Sequence, residues 1–246
     1  HRFGARMWIA RIMITWGLIS GALAFVHSVT AFYVLRFLLG VAEAGFIPGV
    51  VAYLAFWFPV RYRSRANAGV IMATAIASAV GSPLSGILMH ALDGVQGYSG
   101  WRWMLLLEAA PAVILGFFVL YWLTDRPRNA TWLRDDQRAW LVAELEGEAV
   151  KLEKTASLPF AKIAVMPRVW SLSLLFVCFL TAFYGVLLWL PQIVKNMGTQ
   201  SDLQVGFLSG LPFCCAAVSM YLVARRSDRV GERKMHIAVC MTVGGL

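Results

Sequence analysis

Hydrophobic residues along this chain fall into runs of about twenty or more, separated by short polar or basic breaks, and the runs lack the alternation of a half-buried strand. A helix needs about 20 apolar residues to cross the hydrocarbon of a bilayer. The pattern predicts spans over 7–26, 31–58, 68–92, 104–123, 170–190 and 203–224, with a seventh starting at 235 and cut off at Leu246. A polar break at 27–30 separates the first two spans, and PVRYRSRAN at 59–67 reads as a basic loop before the third. A glycine-rich turn, DGVQGYSG at 93–100, precedes WRW at 101–103, where Trp101 and Trp103 suit the aromatic belt of a membrane interface. Between 125 and 169 hydropathy falls and charge rises, with eight basic and seven acidic residues. This is a polar connector between two bundles. DDQRAWLVAELEGEAVKL at 135–152 starts acidic and ends with Lys, as the helix dipole prefers, and predicts an amphipathic helix on the membrane face. SLPFAKIAVM at 157–166 predicts a second, capped by Ser157 with Pro159 in its first turn.

The second span departs from the apolar pattern. RFLLGVAEAGFIPG at 36–49 puts Arg36 and Glu43 inside it, where an isolated charge costs about 2.5–3.5 kcal/mol on insertion scales. Seven residues is about two turns, so the two side chains share a face about 10.5 Å apart along the axis. That face is expected to line water or protein. Gly40, Gly45 and Gly49 allow close backbone approach, and Pro48 frees a carbonyl and permits a bend just past the carboxylate. In the third span GSPLSG at 81–86 combines Gly81, Pro83 and Gly86; tight packing and gating both fit. Glu108 lies near the start of the fourth span, within reach of headgroups or Arg102.

Composition narrows the class. Of 246 residues 59% are hydrophobic and only 14% charged, with a mean hydropathy of +0.68, against about 25% charged for soluble domains. The net charge of +9 does not indicate nucleic acid, because the basic residues cluster between apolar spans. In the loops other than the long connector, ten of them (Arg2, Arg6, Arg61, Arg63, Arg65, Arg225, Arg226, Arg229, Arg233 and Lys234) lie on one side of the alternation and only Arg102 and Lys195 on the other. The positive-inside rule assigns the first side, and the connector with it, to the cytoplasm, in a multi-pass protein of the cell (inner) membrane. The cysteines at 178, 214, 215 and 240 fall within apolar runs without metal-ligand spacing, and His1, His27, His90 and His236 sit at span ends. No catalytic cluster, metal site or cofactor motif emerges, so an enzyme is not expected. A seven-span receptor or scaffold is disfavoured, since the chain opens on His1 and stops within a hydrophobic run, as a piece of a longer protein would.

HRFGARM at 1–7 and DRVGERK at 228–234 share the pattern x-R-x-G-x-R. Such echoes between helix bundles are characteristic of secondary transporters, whose site lies at the interface of the halves. With RFLLGVAEAGFIPG at 36–49, GSPLSG at 81–86, GWRWMLLLEAAPA at 100–112, TDRPRNATWL at 124–133 and FYGVLLWLPQIVK at 183–195, the chain resembles the major facilitator superfamily, specifically its anion:cation symporter branch of tartrate, phthalate and hexonate carriers. The resemblance implies an all-α polytopic fold of two bundles joined by a cytoplasmic loop, here incomplete at both ends and covering family helices three to eight with the start of nine. It divides the chain into 1–124, 125–169 and 170–246. It matches Arg36 to the arginine that binds the organic anion and Glu43 to the protonatable carboxylate. Asp228, Arg229, Gly231 and Arg233 fall in the loop signature that holds one conformation closed, together with Gly81, Pro83 and Gly86 as gating positions. The first loop copy departs from that signature, with His1 where the superfamily usually has Asp.

A carboxylate in a low-dielectric cavity has its charged form disfavoured, which suits Glu43 to exchange protons. The expected function is import of a small organic carboxylate by proton symport, the anion docking on Arg36 with Tyr184 lining the same cavity. A facilitator or efflux antiporter is the alternative. The expected partners are the anion, the proton and membrane lipid, with the full-length protein a monomer.

Overall fold

The computed structural model describes residues 4–154, 160–198, 201–230 and 234–245. Among them every regular element is helical. The helices are α1 (Ala5–Ala22), α2 (Val29–Glu43), α3 (Phe46–Trp57), α4 (Val60–Ala91), α5 (Gly100–Trp122), α6 (Asp135–Lys154), α7 (Phe160–Ala164), α8 (Pro167–Asn196), α9 (Asp202–Val230) and α10 (Lys234–Gly245). Among the described residues six stretches have the length and apolar composition of a membrane span, α2 and α3 together forming one of them. The chain is a multi-pass membrane protein.

Several boundaries differ from the hydropathy reading. The second span is two helices meeting at Ala44 and Gly45. Pro48 cannot donate to the carbonyl of Ala44, so the ladder is interrupted one turn before the ring, immediately after Glu43. The basic stretch at 59–67 is not a loop. α4 begins at Val60, placing Arg61, Arg63 and Arg65 on helix; no residue from 60 to 67 breaks a helix, and the charges end the apolar run without ending the backbone hydrogen bonding. Likewise α9 continues through Asp228 and Arg229, which therefore sit on a helical end. Gly231 and Arg233 lie outside the described residues, as do Ser157 and Pro159 of the second connector helix, whose described part is the five-residue α7. Pro83 lies inside an unbroken α4.

Contacts divide the chain into two units, each compact in itself: residues His1–Asn67 with Ala91–Leu190, and Ala68–His90 with Pro191–Leu246. In the first, α1 and α5 run antiparallel and form the closest seam. Small residues make it possible: a Cβ on Gly17 would lie 2.6 Å from Val113 Cγ2, and one on Gly116 would lie 2.7 Å from Ile14 Cγ1. Where hydrocarbon surrounds a bundle, such backbone approach replaces hydrophobic collapse as the source of helix association. Ile9, Ala10, Ile12 and Ala109 are buried on the inner side of this pair.

The α2–α3 break rests on α1. Ser28 Oγ accepts from the Ala31 N–H at 3.2 Å and starts α2. The Trp8 indole N–H donates to the Gly45 carbonyl at 3.2 Å, and the glycine itself leaves room for the ring, since a Cβ there would stand 2.9 Å from Trp8 Cζ2. Trp16 meets Phe46 edge-on at 5.9 Å.

The connector is folded against helix ends of this same unit. Along α6 the half-buried positions are Arg138, Leu141, Val142, Leu145 and Glu148, one stripe along the helix with a charge at each end. At its start the Arg134 guanidinium beside Asp136 holds that carboxyl below its usual range, helped by the Gln137 N–H.

Candidate functional site

Arg36 and Glu43 both lie on α2 and both are exposed within their unit. Their seven-residue interval leaves them about 20° apart around the axis. The half-buried positions of α2, Ala31, Leu35, Leu39 and Ala42, form a separate stripe toward α1. The two charged groups thus occupy the face that α1 does not cover, neither sealed in dry packing nor paired with each other. Arg36 lies 5.4 Å from the centroid of Phe32, its one contact of this kind among the described residues. Glu43 ends its helix, so its carboxylate sits beside the interruption at Ala44 and Gly45. Chemically, this face offers a guanidinium and a carboxylate two turns apart.

Tyr184 is half exposed on α8, with its ring edge-on to Phe183 at 5.6 Å. No contact among the described residues brings it to Arg36 or Glu43, so the structure does not assemble these three residues into one pocket.

Of the glycine-proline group in α4, two members are contact residues and one is not. In the second unit α4 and α9 cross through their backbones: a Cβ on Gly86 would lie 2.8 Å from the Asp202 carbonyl oxygen, one on Gly206 would lie 2.7 Å from that of Ser82, and one on Gly210 would lie 2.9 Å from Pro83 Cδ. Gly81 has nothing within 4 Å of such an atom. The partner motif, GFLSG at 206–210, is a small-xxx-small pair in an apolar span, a recognisable signal for close helix crossing that the sequence reading passed over. Ser209 is buried at the same crossing, 2% exposed, and its Oγ has no hydrogen-bond partner among the described residues.

A polar corner joins the connector to α1, α3 and α4. Asp125 Oδ1 accepts from the Arg6 N–H at 2.8 Å in the first turn of α1, with its carboxylate in the space that a Cβ on Gly4 would fill. The Thr124 carbonyl accepts from Tyr53 Oη and Trp57 Nε1, each at 3.2 Å, and Trp57 stacks on Trp132 at 5.5 Å. Glu148 on α6 accepts the Val60 N–H at 2.9 Å through Oε1 and at 3.1 Å through Oε2, capping α4 from another helix. Arg63 lies 3.8 Å from the same carboxylate and donates to the carbonyls of Ala55 and Phe58. The basic triplet at 61–65 signalled orientation in the sequence; that Arg63 closes a corner with Glu148, 85 positions on, had no local signal.

These features define a multi-pass helical membrane protein, and the whole chain, residues 1–246, matches the family described as Major Facilitator Superfamily. The chain belongs to that family. It is 48% identical over 237 residues, 96% of its length, to a putative tartrate transporter of Agrobacterium vitis, of which it covers 54%. It is 39% identical over its full length to the putative metabolite transport protein NicT of Pseudomonas putida, covering 56% of that protein. To a quinolone resistance transporter of Acinetobacter baumannii it is 37% identical over 99% of the chain and 56% of the relative. The chain spans about half the length of the curated relatives it matches.

Proposed function

We propose that the full-length protein is a secondary active transporter that imports a small organic carboxylate by proton symport, through alternating access. The observation that carries this reading is the shared, uncovered face of Arg36 and Glu43, ending at a helix interruption. The anion docks on the guanidinium, Glu43 takes the proton, and the loaded centre is closer to neutral when the halves rock around it. Neutrality matters because moving a net charge across the membrane costs about 2.3 kcal/mol per 100 mV. Tyr184 on α8 supplies a hydroxyl to the anion once alternating access brings that helix to the Arg36 face. Tartrate-like acids lead the substrate class, supported by the name of the Agrobacterium relative. In this reading the domains are 1–124, 125–169 and 170–246, with the connector on the cytoplasmic face of the inner membrane and the protein monomeric. Pro83 and Gly86 act at a crossing that flexes, with Gly81 beside it, while Asp228, Arg229, Gly231 and Arg233 hold one conformation closed.

The test is Glu43→Gln in the full-length protein reconstituted into proteoliposomes. Proton-driven uptake of a dicarboxylate is abolished, while substrate counterflow, which needs no net proton movement, persists. Uptake that still follows the proton gradient refutes the coupling role. The second reading is efflux by antiport, favoured by the quinolone resistance relative; internal pH followed during addition of external substrate distinguishes them, since symport acidifies the lumen and antiport makes it alkaline.

A further inference from the structure

At the end of α1 and α5 remote from the connector, the first unit contains a cavity of about 210 Å³ lined by residues that include Phe25, Gln96, Tyr98, Arg102, Trp103 and Leu106. We infer that this cavity binds the phosphodiester of an anionic membrane phospholipid, with Arg102 as the charged anchor and the Gln96 amide as a second donor.

Arg102 is poised for an oxyanion. It is half-buried, its guanidinium lies 5.2 Å from Trp101 and 5.7 Å from Tyr98, and it donates to the Val26 carbonyl at 3.5 Å. That long bond engages one of its five donors; the aromatic flanks fix the plane of the fork and leave the remaining donors to a ligand with phosphate geometry. No carboxylate forms an ion pair with it among the described residues.

The loop that completes the cavity is held in an unfavourable backbone conformation. Gln96 has φ +54° and ψ 24°, in the left-handed region that favours glycine, between Gly94 and Gly97 in the same region. Three bonds impose it: the Gly100 N–H to Asp93 Oδ1 at 2.9 Å, the Gly94 N–H to the Tyr98 carbonyl at 3.0 Å, and the Trp103 indole N–H to the Val95 carbonyl at 3.1 Å. A surface turn has no need of glutamine at such a position, and strain of this kind concentrates at ligand sites.

Depth selects the lipid over a soluble anion. The apolar span of α1 ends at Phe25 and that of α5 starts at Gly100, so the cavity stands at headgroup level. Its lip is apolar, with Phe25 55% exposed beside it, which suits an ester chain and not a polyhydroxy acid. Tyr98, Trp101 and Trp103 are the side chains expected at that depth.

The experiment measures the thermal stability of the full-length protein in a neutral detergent titrated with phosphatidylglycerol, phosphatidylcholine or soluble glycerol 3-phosphate. Phosphatidylglycerol raises the melting temperature saturably and the other two do not. R102Q binds phosphatidylglycerol roughly tenfold more weakly or worse, as loss of a charge-assisted bond implies, with an unchanged melting temperature in phosphatidylcholine. Q96G, which relieves the backbone and removes the amide, melts no lower than the parent in phosphatidylcholine yet also binds phosphatidylglycerol more weakly; it keeps the proposal testable if R102Q misfolds. Parental phosphatidylglycerol affinity in either variant overturns the site, and an equal shift from glycerol 3-phosphate overturns the lipid assignment.

Discussion

Replacing Gly206 with alanine tests the α4–α9 crossing directly. The new methyl carbon would sit 2.7 Å from the Ser82 carbonyl oxygen and 2.9 Å from Gly86 Cα. Both are backbone atoms, so neither can rotate away. Ordinary contact begins at 3.4 Å, and the two helices must therefore separate by about 0.7 Å along that line. Overpacking of this size costs about 1–3 kcal/mol, while alanine in place of glycine returns about 1 kcal/mol of helix propensity. The net effect runs from near zero to a destabilisation of about 2 kcal/mol. Gly81→Ala on the same helix meets open space and collects the propensity without the clash, so it is neutral or slightly stabilising. Denaturation of the two full-length variants in detergent, followed by circular dichroism, gives the comparison. Equal stability of the two variants, or Gly206→Ala melting above the parent, would show that α4 and α9 do not cross through these glycines.

Other perturbations follow from the polar corner and the helix starts. Glu148→Ala removes the cap on Val60 and the partner of Arg63; at about 1 kcal/mol for a cap, amide exchange at 60–63 should accelerate about fivefold, with little change along α5. Trp132→Ala loses a stacked pair worth about 0.5–1.5 kcal/mol beyond its buried area, and limited proteolysis should then cut the connector faster at 125–134. Ser28→Ala costs α2 about 0.5–2 kcal/mol at its N-terminus, measurable as faster exchange at 29–32, whereas Ser28→Asp restores the acceptor and the protection.

The helices were legible because their signals are local. Twenty apolar residues cannot be placed in hydrocarbon except as a helix that satisfies its own backbone, and that constraint is written in composition along the chain. The interval between Arg36 and Glu43 likewise fixes their common face through helix geometry alone. Boundaries were less legible where hydropathy and backbone hydrogen bonding end at different places. α4 starts at Val60, ahead of the apolar run, because Glu148 on α6 satisfies its first N–H. α9 runs to Val230 through a basic stretch with no helix breaker. The role of glycines was not legible at all in isolation: Gly81 and Gly86 look alike in GSPLSG, but only one faces another backbone.

By itself, then, the sequence determined a multi-pass helical chain with a charged pair on one membrane helix, because those properties depend on length, polarity and a fixed helical period. Tertiary structure decided which small residues become contacts, which end of α4 is capped, and that the carbonyl of Thr124 gathers Tyr53 and Trp57 while Trp57 stacks on Trp132. Each of these depends on the distance between groups far apart along the chain, and such distances are set by packing, where a few tenths of an ångström separate a contact from a clash.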